Sequence, residues 1–273
     1  MLYLRPDFAS TLSPPEQRFS HLFGLGGQVY REKEGRRTTR FHHHGKNYFL
    51  KVHTGVGWAE IVKNLFQLRL PVVSAKPEWR ALHRLKELSI DTITPVAYGS
   101  KGYNPARRQS FLITEDLGDT VTLEEILLQS ASSTMSTPLP VRLKRSLITK
   151  VAEIARTMHD NGINHRDFYL CHLRLPVSQL QLSTPPQVPR IYVMDLHRAQ
   201  VHRHRPRERW IVKDLAGLFF SSMDCGLSRH DRIRFITTYS GRSLRDTLVA
   251  GGLFWSKVST WALRIYRKHH AVE

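Results

Sequence analysis

Short apolar runs separated by glycine turns dominate the first part of the chain. Residues from about 27 to 53 alternate between apolar and polar positions, with breaks at Gly35 and Gly45. Alternation with a period of two between glycine turns is typical of antiparallel hairpins. We therefore predict a three-stranded meander here, followed by two further strands at residues 96–98 and 110–114.

Helical periodicity replaces this alternation after residue 114. Apolar residues recur at 3.6-residue spacing at Leu143, Leu147, Val151, Ile154, Ala155 and Met158, which indicates an amphipathic helix. Shorter stripes predict a helix whose apolar face holds Trp58, Ile61, Leu65 and Leu68, and a second helix that begins near Glu78. The pattern as a whole predicts an α+β fold with a small sheet-rich N-lobe, residues 1–114, and a larger helical C-lobe, residues 115–273.

Composition fits a folded chain with an unusual charge. The 273 residues, 41% of them hydrophobic, are enough for a proper core. Lys+Arg 41 against Asp+Glu 23 gives a net charge of +18, which attracts nucleic acid, anionic lipid, phosphorylated glycan or an acidic protein.

The cysteine spacing and the lengths of the apolar runs indicate the compartment and the membrane topology. Cys171 and Cys225 form no C-x-x-C pair, so neither a zinc site nor a disulfide framework is predicted. The start has no apolar segment of signal-peptide length, and no apolar run is long enough to span a bilayer. We expect a cytoplasmic protein, with peripheral membrane contact left open.

The string His165-Arg166-Asp167 carries the clearest chemical signal. With His172 it reads H-R-D-x-x-x-x-H, one letter from the kinase loop H-R-D-x-x-x-x-N, whose Asp accepts a hydroxyl proton. Asp195 follows the β-prone run 191–194, and its carboxylate suits Mg²⁺. We predict Asp167 as the base and Asp195 as the metal ligand. So short a string can arise by chance, and Asp195 could simply end a strand, so the prediction rests on the pair.

Phosphoryl transfer also needs a cation on the non-transferred phosphates and a carboxylate that fixes the cation. Lys51 ends the apolar run 48–50, and Glu78 opens a predicted helix. We predict that these two residues pair and serve nucleotide binding, with Glu60 on the preceding helix as the alternative to Glu78. Taken singly, Lys51 would be a surface lysine and Glu78 a helix first-turn acid.

The strand that ends the N-lobe and the start of the apolar helix at 215–220 suggest two supporting roles. The backbone at Glu115 and Leu117 could bind adenine, although an ordinary linker has the same pattern. Asp214 precedes the apolar helix, and we predict that it is structural and accepts backbone N–H groups of the catalytic loop. His165 is likewise assigned a structural role.

Basic residues crowd the segment that follows Asp195. It contains Arg198, Arg203, Arg205, Arg207 and Arg209. A guanidinium matches carboxylate and phosphate geometry, so we predict that Arg198, Arg203, Arg205 and Arg207 bind substrate; a solvated charge run is the alternative. The run His42–His44 is predicted to be a hairpin tip, since consecutive strand residues point to opposite faces and cannot chelate one ion.

Several strings together resemble the bacterial lipopolysaccharide core kinases, above all those that act on the first heptose. They are Arg36-Arg37-Thr38, Gly45–Lys51, Ile113–Leu117, Gly162–Asp167 and Asp195–Gln200, within a match from about residue 27 to 245. The resemblance implies a bilobal protein-kinase-like fold and an ATP-dependent sugar kinase. It also implies an anionic acceptor of lipid A, Kdo and heptose at the inner face of the cytoplasmic membrane. Carried over, the catalytic Asp falls on Asp167, the nucleotide Lys on Lys51 and the Mg²⁺ Asp on Asp195.

The chain departs from the general kinase pattern at three points. No G-x-G-x-x-G loop covers the phosphates, and the turn that holds Gly35 and Arg36 stands in its place, where Arg36 could do part of that work. His172 replaces Asn, and imidazole is a poor ligand for Mg²⁺, so His172 as a second metal ligand is weakly supported. Asp-Leu-His at 195–197 replaces Asp-Phe-Gly.

Three other functions fit parts of the pattern. An antibiotic phosphotransferase would need an acidic acceptor site, and a protein kinase would need the glycine loop and an A-P-E segment. A catalytically inactive fold could bind nucleic acid or an acidic protein, but Lys51, Asp167 and Asp195 together argue against it. Nucleic acid is therefore not expected, and an acidic protein partner stays open. The final helix, with Trp255 and Trp261 beside basic residues, could lie at a membrane interface or pack on the core.

Overall fold

The computed structural model describes residues 1–33, 35–66, 72–132, 139–180 and 188–271, without the side chains of Lys33, Glu60, Asn64 and Leu65. The chain divides into two units: Met1–His83 with Ile93–Leu117, and Arg84–Thr92 with Gly118–Glu273. The first unit ends at Leu117, three residues past the boundary predicted at residue 114. Residues 84–92 group with the second unit although they precede that boundary.

An antiparallel six-stranded sheet forms the first unit, in the strand order β1-β5-β6-β4-β3-β2. Its strands are β1 Leu2–Leu4, β2 Gln28–Lys33, β3 Arg36–His43, β4 Lys46–His53, β5 Pro95–Lys101 and β6 Gln109–Glu115. Its helices are α1 Pro6–Ala9, α2 Phe19–Phe23, α3 Gly57–Phe66 and α4 Lys76–Glu87, the last of which continues into the second unit. The predicted meander and the two later strands are present.

Strand alternation gives the sheet two different faces. Leu50 and Val52 of β4 are buried in one cluster with Phe8 and Leu22, which belong to the N-terminal segment. Lys51, between them, points to the opposite face. The packing of residues 1–27 on the sheet and the pairing of β1 with β5 were absent from the sequence-based prediction.

The predicted apolar face of α3 is partly wrong. Ile61 is buried, but Trp58 is 58% exposed, because α3 buries a single narrow face. The Leu65 side chain and Leu68 lie outside the described residues. The histidine run is a hairpin tip, as predicted: β3 ends at His43, and His44 has a positive φ of 45° in the turn.

Helices and short strand ladders form the second unit. Its helices are α5 Leu123–Ala131, α6 Val141–Asp160, α7 Val177–Leu180, α8 Glu208–Ser221, α9 Arg229–Ser240 and α10 Leu244–His270. Its strands are β7 Thr120–Thr122, β8 Ile163–Asn164, β9 Leu173–Pro176, β10 Tyr192–Val193 and β11 Gln200–Val201. β9 lies between β10 and β7, and β8 pairs with β11.

The helices of this unit follow the apolar spacing of the sequence. The predicted stripe on α6 is buried from Leu143 to Met158. α9 begins with a capping box, in which Ser228 and Asp231 exchange hydrogen bonds with each other's backbone. Among the described helices, none is long and apolar enough to cross a membrane.

Candidate active site

In the first unit, Lys51 and Glu78 form the predicted ion pair. The Lys51 Nζ donates to Glu78 Oε1 at 2.5 Å, and the Glu78 carboxylate is 1% exposed. Lys51 is held in the interior of the sheet, between Thr38 of β3 and Leu112 of β6. The side chain of the alternative, Glu60, lies outside the described residues.

The predicted phosphate-covering turn is built around Gly35. This residue has φ +70°, and a Cβ there would meet the Gly55 carbonyl oxygen at 2.5 Å, so only glycine fits. Arg36 begins β3, in register with His53. The contact with the 53–55 segment fixes where the turn lies on the first unit; its role toward phosphate stays a prediction.

The predicted adenine-binding segment already uses two of its backbone donors inside the first unit. The Glu115 amide donates to the Thr94 carbonyl at 2.9 Å, and the Asp116 amide donates to the Asn47 carbonyl at 3.0 Å. The Glu115 carboxylate accepts from Arg5 at 2.5 Å. Any hydrogen bond from this segment to a base would therefore depend on Leu117 and on carbonyl oxygens.

In the second unit, Asp214 holds the catalytic loop from beneath. Its Oδ2 accepts from the His165 amide at 2.6 Å and its Oδ1 from the Arg166 amide at 2.7 Å, and all three residues are buried. His159 contacts Oδ2 at 3.4 Å and Tyr239 at 2.9 Å. The contact predicted for Asp214 is present.

His165 links this loop to the loop that carries Asp195. Its Nε2 donates to the Met194 carbonyl at 2.8 Å, next to Asp195. Complete burial lowers the pKa of His165, although the nearby Asp214 carboxylate opposes that shift. A neutral, fully buried imidazole bonded to backbone fits the structural role assigned to it.

Asp167 emerges from this loop into a cluster of positive charge. Arg198 Nη1 donates to its two carboxylate oxygens at 2.9 and 3.3 Å. Lys213 is half-buried, and burial, Arg166 and Arg198 together lower its pKa, against the pull of Asp167. The sequence-based prediction missed Lys213, and its position beside Asp214 on α8 was the available signal.

Asp195 lies two residues past the end of β10, with two histidines beside its carboxylate. It has a left-handed backbone, φ 56° and ψ 53°, which Asp tolerates better than most residues. His197 Nδ1 is in hydrogen-bond contact with its Oδ1, and His172 Nε2 lies 3.6 Å from its Oδ2. Such a carboxylate suits a magnesium ion whose other ligands are waters and phosphate oxygens.

His172 has both ring nitrogens beside protein oxygens, which is a poor arrangement for a metal ligand. Its Nδ1 bonds to the Asp167 carbonyl at 2.7 Å. Burial would lower the pKa of His172, but Cys171, this hydrogen bond and the Asp195 carboxylate outweigh burial and raise the pKa to about 9. Among the described residues there is no cluster of three or more His, Cys, Asp or Glu that could hold a metal ion.

The arginines after Asp195 have different surroundings. Arg198 binds Asp167, and Arg205 lies 3.4 Å from Asp160 on α6. Arg203 and Arg207 are exposed, as is Arg209, whose guanidinium lies 4.6 Å from the Trp210 ring centre. Arg203 and Arg207 are therefore the better placed for a ligand, whereas Arg205 is partly used in the fold.

An apolar cavity of about 240 Å³ lies within the second unit, apart from these charged groups. Side chains of α5, α6, α8, α9 and α10 enclose it, among them Leu127, Leu147, Leu218, Phe235 and Val258. The sequence pattern predicted buried apolar helix faces here but not an opening between them.

Comparison with known proteins places this architecture. The sequence model of the lipopolysaccharide kinase (Kdo/WaaP) family matches residues 20–239. The lipopolysaccharide core heptose(I) kinase WaaP of Pseudomonas aeruginosa is 46% identical over 243 residues, 87% of this chain and 86% of that protein. A WaaP of Escherichia coli with the same description is 47% identical over 248 residues, which cover 91% of this chain and 90% of that protein.

A solved structure, WaaP in complex with acyl carrier protein, superposes with a TM-score of 0.78 at 38% identity. The match covers 97% of this chain and 99% of that one. Likeness of this extent makes the protein a kinase with a protein-kinase-like fold, as the resemblance implied. The chain belongs to the lipopolysaccharide kinase (Kdo/WaaP) family. Membership implies ATP as the phosphoryl donor; the roles of individual site residues stay predictions.

Proposed function

We propose that this protein is a heptose(I) kinase, which transfers the γ-phosphoryl group of ATP to a hydroxyl of the first heptose of the lipopolysaccharide inner core. The observation that carries the proposal is the anchored loop that presents Asp167, in a chain 46–47% identical to kinases of that description. The heptose oxygen attacks the γ-phosphorus, its proton passes to the Asp167 carboxylate, and the bond to the bridging oxygen of ADP breaks.

Other predicted site residues support that step. Asp195 would hold Mg²⁺, which neutralises charge on the phosphates when bound. Lys51, fixed by Glu78, would contact the non-transferred phosphates. Arg198 and Lys213 surround Asp167 with positive charge, which favours an anionic acceptor there.

The test is phosphorylation of a heptose-containing core acceptor that lacks phosphate, followed by mass spectrometry of the product. Asp167→Asn should lower kcat by about 10²–10⁴, the usual contribution of a general base. Asp119→Asn, a matched change at an exposed carboxylate, should leave kcat unchanged. Asp167→Asn within twofold of wild type would remove Asp167 from the reaction.

Acceptor binding should depend on Arg203 and Arg207. Both are exposed in the segment after β11, the strand that pairs with β8 just before the catalytic loop. Charge-assisted contacts to phosphate are worth about 1.5–3 kcal/mol each when partly desolvated. Replacing both with Gln should raise KM for the anionic acceptor and leave KM for ATP unchanged. Arg142→Gln, on the exposed side of α6, is the control. An equal rise in KM on a neutral heptose analogue would show a structural role instead.

An acyl carrier protein is the proposed protein partner. The family structure that matches this chain contains one, and a net charge of +18 favours an acidic partner. The 240 Å³ apolar cavity would accept part of an acyl chain, since apolar cavities of about 150 Å³ already bind small hydrocarbons. Measuring affinity for acylated and non-acylated carrier protein tests both points. Equal affinity would show that the cavity has no part in binding.

A further inference from the structure

The last helix, α10, has two faces of different character. Its inner face packs against α8 and α9, and Val258 and Ala262 are buried there. Its outer face carries Leu248, Val249, Leu253 and Leu263, and Val249 and Leu253 are 84% and 81% exposed. This surface, with the exposed Arg245, Arg264 and Arg267, is called the α10 outer face below. Large apolar side chains so exposed along one helix indicate a contact surface.

Positive charge surrounds these apolar residues. Asp246, in the first turn, is the one acidic residue of α10, and its carboxylate accepts from Ser243. Two acids of neighbouring segments reach the helix: Glu208 pairs with Lys257, and Asp224 contacts Tyr266 and His270. Across the part of the chain that the structure describes, Arg245, Arg264 and Arg267 form no ion pair. The outer face is therefore apolar with a net positive charge.

A kink interrupts α10 between its two most exposed apolar residues. Gly251 has non-helical angles, φ −138° and ψ 18°, in the middle of α10. The two most exposed apolar residues lie on either side of it, Val249 before and Leu253 after. The kink therefore lies inside the short apolar segment 248–253, with arginines on both sides of it along the chain.

We propose that the α10 outer face rests on an anionic phospholipid membrane. The leucine and valine side chains would enter the boundary between headgroups and acyl chains, while the arginines extend to lipid phosphates. A 27-residue helix is about 40 Å long, and its exposed apolar residues are spread from 248 to 263. That spread suits a broad lipid surface better than the compact apolar centre of a protein interface. The inference rests on the proposed function, since a lipid-linked acceptor requires an enzyme that works at the membrane.

Vesicle flotation tests the assignment directly. The intact protein is mixed with phosphatidylcholine vesicles or with vesicles that also contain phosphatidylglycerol. Wild type should bind the anionic vesicles, less strongly as salt rises. Val249→Gln with Leu253→Gln should weaken that binding at least about tenfold, because two apolar side chains no longer enter the interface. Val188→Gln, at a 68% exposed valine outside α10, is the matched control and should bind as wild type.

Each outcome of the vesicle test either supports or overturns the membrane assignment. Thermal melting confirms that the variants are folded; if the double variant is not, Val249→Gln alone should still weaken vesicle binding, and its failure to do so would overturn the proposal. Wild-type vesicle binding by the folded double variant would overturn it as well. If the folded double variant binds vesicles normally but loses affinity for acyl carrier protein, the membrane proposal is also overturned. The α10 outer face would then be a protein-docking surface.

A soluble acceptor separates this proposal from the proposed function. On a deacylated core oligosaccharide, the Val249/Leu253 variant should keep wild-type kcat and KM, and on vesicle-embedded acceptor its rate should fall with its binding. Loss of activity on both acceptors would contradict a membrane role. Absence of activity in wild type on either acceptor would overturn the heptose kinase assignment, while the vesicle-binding result would still stand.

Discussion

Replacing Asp214 with Asn should release the catalytic loop without touching any reacting group. In the wild type, the two carboxylate oxygens accept from the His165 and Arg166 amides at 2.6 and 2.7 Å in a buried site. Asparagine keeps one acceptor oxygen and puts an NH₂ group against the other backbone donor. That donor then has no partner and no access to water.

The expected cost follows from this lost hydrogen bond. A buried donor without an acceptor costs about 1–3 kcal/mol. If the loop opens locally at that cost, the amides of His165 and Arg166 should exchange with solvent roughly 5- to 150-fold faster. For a chain of this size, the same loss should lower Tm by about 2–12 °C.

Hydrogen exchange of the peptide that contains residues 163–168, read by mass spectrometry, is the assay, together with a thermal melt and kcat. Asp167→Asn is the comparison, since it should lower kcat by about 10²–10⁴ and leave the exchange of the His165 and Arg166 amides near wild type. Asp214→Asn should lower turnover and also speed the exchange of the His165 and Arg166 amides. If Asp214→Asn abolishes turnover while exchange and Tm stay at wild-type values, the structural assignment of Asp214 is wrong.

Three shorter predictions concern other parts of the chain. Lys51→Met should abolish activity and lower the free energy of unfolding by about 3–5 kcal/mol, because it leaves the buried Glu78 carboxylate unpaired. Adding Glu78→Gln should recover part of that stability, and no recovery would refute the energetic coupling of Lys51 with Glu78. Cys225 should resist alkylation in the native protein at about pH 8, because burial raises its pKa to about 11 and only the thiolate reacts; labelling as fast as in urea would contradict this. Gly162→Ala should lower Tm, since φ is +82° and a Cβ would lie 2.4 Å from the His202 carbonyl oxygen; an unchanged melt would refute the steric argument.

Local pattern and motif order were enough to predict the parts of this protein that depend on neighbouring residues. Glycine turns and alternation gave the β2–β4 meander, and the 3.6-residue stripe gave α6. The pairing of Lys51 with Glu78 followed from the order of kinase elements, and the structure contains it. In each case the residues lie on elements whose type and sequence order can be recognised before any packing is known.

Contacts between distant, similar residues could not be predicted in the same way. Arg198 is one of five arginines within residues 198–209, and nothing in the sequence separates it from the others. The left-handed turn at Asp195 and the pairing of β11 with β8 direct this one toward Asp167. The N-terminal segment is a second case, since Arg5 reaches Glu115 only because β1 pairs with β5 at the far edge of the sheet.

The backbone of Arg166 shows most clearly what the sequence leaves out. Its φ of 72° is unusual for a long side chain and costs on the order of 1–3 kcal/mol. Asp214 holds its amide, and the Trp210 ring lies 5.1 Å from its guanidinium, while burial and the nearby Arg198 lower its pKa. Asp214 was found from sequence because an acid next to an apolar run is a recognisable signal, although α8 begins at Glu208 and Asp214 lies within the helix rather than before it. Trp210 carries no such signal, and its contact with Arg166 exists only because α8 packs beneath the loop. The sequence therefore places Arg166 next to Asp167, the predicted proton acceptor, and the tertiary structure supplies the contacts that keep Arg166 in a strained position.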